Sequence, residues 1–430
     1  MNANTSNAGK GWTVVIAGLS INLILGVLYA WGVVAKALVV GLHWTNTDAA
    51  RPFSVATVCF AVMMVFAGRC QDKLGPRLVA TAGGIMLGLG LVASGLVHSP
   101  TAMMLTFGVG AGLGIGLGYS ATTPPAIKWF PPARKGLITG IVVSGVGLAA
   151  VYISPLTQFL LGDIKYPMPK NTIPLTFFCL GIGTLVLVPL LAQLLRNPPA
   201  QPAAQASAAK AAAAPRRESD WQEMLRTGQF YQLWLLMVLS ASAGMMIITQ
   251  VAVIAKQQAD WKWGYVPIAT LAIFNTFGRL LAGALSDKIG RTRTMTLAFL
   301  LQAVNMVAFS HYDSAALVVF GAAFTGLCYG TIFTLMPAAT ADFYGVRNLG
   351  VNYGLVFTAF GVAGVVGPLL GAEINDHFKS YDYAYLISAA MLALGALLAT
   401  LTQPPGVRAM PAAPQPQPNV SLANPVQKST

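Results

Sequence analysis

Charged side chains are scarce in this sequence. They make up 9% of its 430 residues, where a soluble domain carries about 25%. Cysteine is scarce too. The four, Cys59, Cys70, Cys179 and Cys328, form no CxxC pair and no metal-ligand spacing, so neither a disulfide framework nor a metal site is expected. They read as small packing residues. HExxH, a nucleophile elbow and a phosphate loop are all missing, as is any soluble stretch long enough for a catalytic domain. Neither an enzyme nor a cofactor protein is expected. The N-terminus has no cleavable signal pattern: its first apolar run begins at Trp12, is followed by Lys36, and has no small-residue cleavage site.

What the chain has in abundance is apolar sequence, 55% of it hydrophobic. Apolar runs of about 20 residues recur throughout, the length that crosses a bilayer's hydrocarbon core as a helix. In lipid every backbone amide must be satisfied within its own segment, so these runs are expected to be helices. The expected class is all-α and integral to the membrane, with twelve transmembrane helices in two six-helix halves. The spans fall near 12–34, 53–67, 78–97, 101–121, 136–161 and 173–195, then 230–254, 265–285, 294–310, 315–338, 352–372 and 383–401. The halves are 1–195 and 229–403. Between them, 196–228 reads as a cytoplasmic linker. Its Ala/Pro-rich start cannot bury a core, and Ser219-Asp220-Trp221-Gln222-Glu223 opens a short amphipathic helix at the membrane surface. The Pro/Ala/Gln-rich 404–430 reads as a disordered cytoplasmic tail.

A net charge of +13 raises the possibility of nucleic acid, but no basic, aromatic-interleaved patch supports it. Membrane proteins concentrate Lys and Arg on cytoplasmic loops. With the N-terminus inside, cytoplasmic segments hold 18 of the 26 Lys and Arg, external loops hold 7, and Arg279 lies within a span. Both termini are therefore expected in the cytoplasm and the protein in the plasma (inner) membrane.

An internal repeat supports the two halves. Gly68, Asp72, Lys73 and Gly75 recur at the same offsets as Gly283, Asp287, Lys288 and Gly290, 215 residues later. Arginine follows each copy, Arg77 closing the first. Glycine permits a tight turn and close helix approach. The aspartate suits pairing with a cation or capping a helix, and the basic residues suit a cytoplasmic surface. A gating role is expected here, separate from substrate binding. Alternate glycines from Gly108 to Gly118 give small-xxx-small rows, read either as static packing or as a sliding surface.

A charge inside a bilayer is costly and marks function by default. All 13 acidic residues and all four histidines fall in expected loops or span ends. Only Arg279 lies well inside a span, eight residues before Asp287 and so about 12 Å from it along the axis. With no carboxylate at that depth, its expected partner is an anionic substrate, held by the guanidinium fork. Bonding to backbone carbonyls, or snorkelling, is the competing reading. Asn275 lies on the same helix face. Tyr119, Tyr329 and Phe333 are placed to wall a small pocket, with ordinary helix packing as the alternative for each.

These residues resemble two related families. Asn275-Thr276-Phe277-Gly278-Arg279 resembles the helix-eight arginine site of monocarboxylate transporters and oxalate–formate antiporters, both of major facilitator type. The two Gly…Asp-Lys…Gly loops resemble that superfamily's loop motif. The segment from Trp129 to Gly140, continuing to Ser144-Gly145, resembles the monocarboxylate family's helix-five signature, and Gly11-Trp12 is a weaker match. The resemblance implies transport of a small monocarboxylate such as lactate, pyruvate or acetate. It implies alternating access with a proton as co-substrate, by a monomer in the lipid bilayer, with Leu28 and Phe360 completing the binding set. Anion exchange is the alternative. Where the antiporter branch has a lysine after its Asn-Tyr-Gly, this chain has Phe360 after Asn352-Tyr353-Gly354, which favours one carboxylate over two. Where animal monocarboxylate transporters have an aspartate four residues before the arginine, this chain has Asn275. Their helix-one lysine aligns near Val33, with Lys36 close by.

Overall fold

The computed structural model describes residues 2–162, 172–199, 218–261 and 265–405. Eleven helices are long and apolar enough to cross a membrane. They are α1 (Gly9–Leu42), α2 (Asp48–Leu74), α3 (Pro76–Ser94), α4 (Pro100–Lys128), α5 (Pro132–Leu161), α6 (Thr172–Ala192), α7 (Gly228–Ala259), α8 (Val266–Ile289), α10 (Ala315–Tyr344), α11 (Leu349–Phe378) and α12 (Asp382–Leu401). Between α8 and α10 lies α9 (Arg291–Phe309).

The expected ninth span thus forms a helix at its place in the order, but one too polar to register as membrane-crossing by composition. The physical reason is a polar knot. Asn305 Nδ2 donates to the Gly321 carbonyl at 3.2 Å and to Thr325 Oγ1 at 3.1 Å, Gln302 Nε2 donates to Thr325 Oγ1 at 3.1 Å, and the Tyr312 hydroxyl donates to Asn305 Oδ1 at 3.2 Å. Buried polar groups that satisfy one another are tolerated away from water. At 19 residues α9 is about 28 Å long, and with it the long helices among the described residues number twelve.

Several helices outrun their expected spans. α2 continues seven residues past Ala67 to carry its motif as helix. α1 reaches Leu42, passing through a tighter turn over Gly26–Ala30 where Gly26 meets Ala149 of α5. α4 contains a wider, π-helical stretch, Met104–Ala111. Its alternate glycines face α2 (Gly112 on Ala56, Gly116 on Met63) and α3 (Gly110 on Gly90, Gly114 on Leu87). That contact lies within one half, which answers the sliding-surface reading in favour of packing. The short helix after the linker is only Trp221–Leu225, with Met224 buried. Most of the linker and tail sequences read as disordered lie outside the described residues.

The two halves meet along two seams. On one, α5 of the first half packs on α8 of the second; on the other, α2 packs on α11. Small residues set both. A side chain on Gly68 would strike the backbone of Gly350, and one on Gly136 would strike that of Gly283. The motif glycines Gly75 (φ 89°) and Gly290 (φ 98°) hold left-handed turns, where any other residue is strained.

Candidate functional site

Between the seams lies a cavity of about 400 Å³, within the ordinary range for a small-molecule site. Among the described residues its only charged lining group is Arg279, and no Asp, Glu or His lines it. Leu28, Tyr119, Tyr329, Phe333 and Phe360 join it in the lining, as the sequence suggests. Asn275 does not. It is buried behind the arginine and accepts from Arg279 Nε through Oδ1 at 3.1 Å. Its part is to orient the guanidinium.

Arg279 is 2% exposed. Its Nη1 donates to the carbonyl oxygen of Val143 on α5, in the opposite half. The carbonyl reading of Arg279 is therefore correct for one nitrogen, and the arginine does not stand unpartnered. A guanidinium carries five N–H donors, so these two bonds leave others for a ligand. The carbon at its centre sits 5.1 Å from the Phe333 ring centroid, a cation–π contact that favours the charged group away from water. The carbonyl of Arg279 itself accepts from Thr334 on α10 at 3.1 Å, tying the helix-eight backbone at this level to its neighbour.

Aromatic rings close the cavity toward the motif-bearing end. Phe60 on α2 lies 5.6 Å from Tyr119 on α4 and 5.0 Å from Phe357 on α11, and Phe357 lies 5.2 Å from Phe360. Phe333 meets Tyr329 at 4.9 Å and Phe360 at 5.4 Å. Phe60, Phe357 and Tyr29 line the cavity but went unnoticed in the sequence. An apolar residue in an apolar helix gives no signal of its own; only the shared level of Phe60 with Tyr119 marks it. Away from the motifs, the cavity runs through Trp31, Gly32 and Thr57 into a cleft of about 800 Å³ bordered by Lys36 and Pro368. The molecule is open at that end.

At the motif-bearing end it is closed by two carboxylates, each capping a helix of the opposite half. Asp287 accepts from the backbone N–H of Gly136 at 2.9 Å and of Leu137 at 2.8 Å. Asp72 accepts from Gly350 at 3.3 Å and Val351 at 3.0 Å. The first N–H groups of a helix have no internal partner and carry partial positive charge, so each aspartate fits its site. Both aspartates cap a helix across the seam, and Asp287 also pairs with Arg291 on its own side.

The two copies differ beyond that. Arg291 donates to Asp287 and to Ser286, each at 2.6 Å, and to Asp342 at 2.9 Å; Lys135 donates to Asp342 at 2.9 Å. At the matching place in the first copy stands Pro76, and none of the ion pairs among the described residues includes Asp72. Lys73 and Lys288 are exposed. Arg77 donates to the Leu195 carbonyl at 2.8 Å, holding the chain that leaves α6. The helix-five signature supplies Lys135, Gly136 and Leu137 to this junction, and its Trp129-Phe130 receives Gly11 and Trp12 of α1. Both family-like segments thus meet at one place.

Comparison with known proteins agrees with this architecture. Over 407 residues the chain is 29% identical to the oxalate:formate antiporter of Oxalobacter formigenes, covering 93% of each. It is 28% identical over 359 residues to the MFS-type transporter YhjX of Escherichia coli, covering 82% of this chain and 86% of that protein. With monocarboxylate transporter 13 of Rattus norvegicus it shares 25% over 406 residues, 90% of this chain and 88% of the other. Among solved structures, the proton:xylose symporter XylE superposes with a TM-score of 0.73 at 13% identity over 92% of this chain and 96% of that one. The E. coli fucose:proton symporter FucP gives 0.69 at 14% over 90% and 98%. The model of the Major Facilitator Superfamily matches residues 11–312 and 268–426, and the chain, a multi-pass all-α membrane protein, belongs to that superfamily.

Proposed function

We propose that this transporter carries small monocarboxylates, with lactate, pyruvate and acetate as the class, by proton-coupled symport. One observation carries the reading: a single arginine, with free donors, is the only charge among the described residues lining a small aromatic cavity. A carboxylate suits the guanidinium, and a short apolar tail suits the rings. Phe360 stands where a second cation would serve a dicarboxylate.

With the motifs in the cytoplasm, as the distribution of Lys and Arg favours, this state faces outward and both termini lie inside the plasma membrane. The halves 1–195 and 229–403 then rock about the cavity, and the chain works as a monomer. The role is transport rather than catalysis. A relative of 29% identity is an oxalate:formate antiporter, which keeps anion exchange as the second reading. The Val143 carbonyl weighs against exchange. An empty carrier that reorients with a bare guanidinium bears a large cost in a low-dielectric cavity, but here Val143 and Asn275 give the guanidinium protein partners of its own. With no acidic group or histidine in the lining, the substrate carboxyl or water beside it carries the proton.

Uptake of labelled lactate into proteoliposomes tests this. An inward proton gradient should drive accumulation and a protonophore should abolish it. Uptake that ignores the gradient but rises with preloaded anion makes the protein an exchanger. If lactate, pyruvate and acetate all fail to move under either condition, the substrate class is wrong.

A further inference from the structure

The two seams are built alike in backbone but not in how their polar groups are satisfied. On the α5–α8 seam, Ser286, Asp287, Arg291, Lys135 and Asp342 form one connected network. The residue matching Ser286 on the α2–α11 seam is Gln71. It is fully buried, and neither its amide nitrogen nor its oxygen has a partner among the described residues. Asn352, on the side of α11 turned away from Gly350, donates to the Ser219 carbonyl at 3.1 Å, and its Oδ1 has no partner among the described residues. The Tyr353 hydroxyl comes near Tyr119 but makes no bond of ordinary geometry. Of the nine buried, unpartnered side-chain polar atoms among the described residues, three sit at this seam, on Gln71 and Tyr353; none sits on α8, and the one on α5, at Thr157, is at the end away from the motifs.

Their order follows the path out of the cavity. Phe60 and Phe357 line its closed end. Tyr353 is one helical turn farther along α11, about 6 Å, and Gln71 lies beside Gly350 at the seam's end. A buried polar atom without a partner destabilises the closed arrangement and is relieved when water or a polar ligand reaches it. A satisfied ionic network has no such gain from opening.

We propose that substrate is released toward the motif-bearing end through the α2–α11 seam, and that Gln71 and Tyr353 line that route. The α5–α8 seam stays the tighter of the two during opening. Phe60 and Phe357 are the rings that part first. The Tyr353 hydroxyl and the Gln71 amide are then the first donors a carboxylate meets after Arg279, a statement that rests on the carboxylate reading. The seam that opens does not depend on it.

Thiol accessibility separates the two seams without using any substrate. In a full-length background with the four native cysteines replaced by serine, Gln71→Cys and Ser286→Cys place thiols at matching register, each one residue before the capping aspartate and against the facing glycine. Both positions are buried in the closed state. In nanodiscs, a water-soluble maleimide should label the thiol at 71 at least about tenfold faster than that at 286, a difference of about 1.4 kcal/mol in opening. Tyr353→Cys and Thr139→Cys, each three residues beyond the seam glycine and buried, repeat the comparison from the partner helices, should either first variant fail to yield a monodisperse protein. Equal labelling, faster labelling on the α5–α8 side, or no labelling of either overturns the proposal. Lactate uptake has no bearing on the result, so failure here and failure of the substrate assignment remain distinct.

Discussion

The α5–α8 and α2–α11 seams descend from the same loop pattern, and comparing them shows what the pattern does and what its surroundings add. In each, glycine lets two helices touch, a second glycine turns the chain left-handed, and aspartate caps a helix of the opposite half. After that turn, one seam has Arg291 and the other Pro76. The arginine recruits Asp342, and with it Lys135 across the seam. The proline begins α3 and has no donor to offer. A single residue after a shared motif therefore separates a seam closed by charge from one closed mainly by rings and two longer hydrogen bonds. The Arg279–Val143 bond falls on the charged seam, and the aromatic closure on the other.

The largest test of that difference is removal of each aspartate. Asp287→Ala strips two N–H groups of their acceptor and leaves the buried Arg291 with Asp342 as its one carboxylate partner and the Ser286 hydroxyl. Breaking a buried pair costs about 3–5 kcal/mol, so initial uptake should fall by well over about tenfold. Asp72→Ala loses only the two longer capping bonds and should fall about two- to threefold, near 0.5 kcal/mol. Uptake rates normalised to the amount of protein in the membrane check both. Equal losses would erase the asymmetry.

A smaller effect sharpens the comparison by probing what the seams share. Gly136→Ala and Gly350→Ala each push a methyl group into the facing backbone, and overpacking of this kind costs about 1–3 kcal/mol. Both variants should lower the Tm of the purified protein, by similar amounts. A marked difference between them would place the asymmetry in the backbone rather than in the side chains.

The helical class, the repeat and Arg279 were legible because each breaks a background. Charge stands out in apolar sequence, and glycine with aspartate recurs at a fixed interval. Tyr119, Tyr329, Phe333, Phe360 and Leu28 were placed at the cavity, helped by their level relative to Arg279 and by family resemblance. What stayed hidden has physical reasons. Val143 acts through its carbonyl, a group every residue has. Phe60 and Phe357 are aromatic residues among many in apolar helices. Asn275 reads as a lining residue because it shares the arginine's helix face, yet it bonds the guanidinium from behind. The ninth span, by contrast, was read at its place despite Gln302 and Asn305, which are spent on one another and on α10. That the Asp342–Arg291–Lys135 group forms at all depends on three helix ends meeting, which no local pattern records.

The central claim is that Arg279 holds the substrate's carboxylate. Lactate binding and uptake by Arg279→Lys and Arg279→Gln, in protein shown to be membrane-inserted and of unchanged Tm, test it most directly. The lysine keeps the charge without the planar fork, and the glutamine keeps neither. Both should lose transport by about a hundredfold or more, with lactate binding lost in Arg279→Gln. Near-normal uptake by Arg279→Gln would contradict the account.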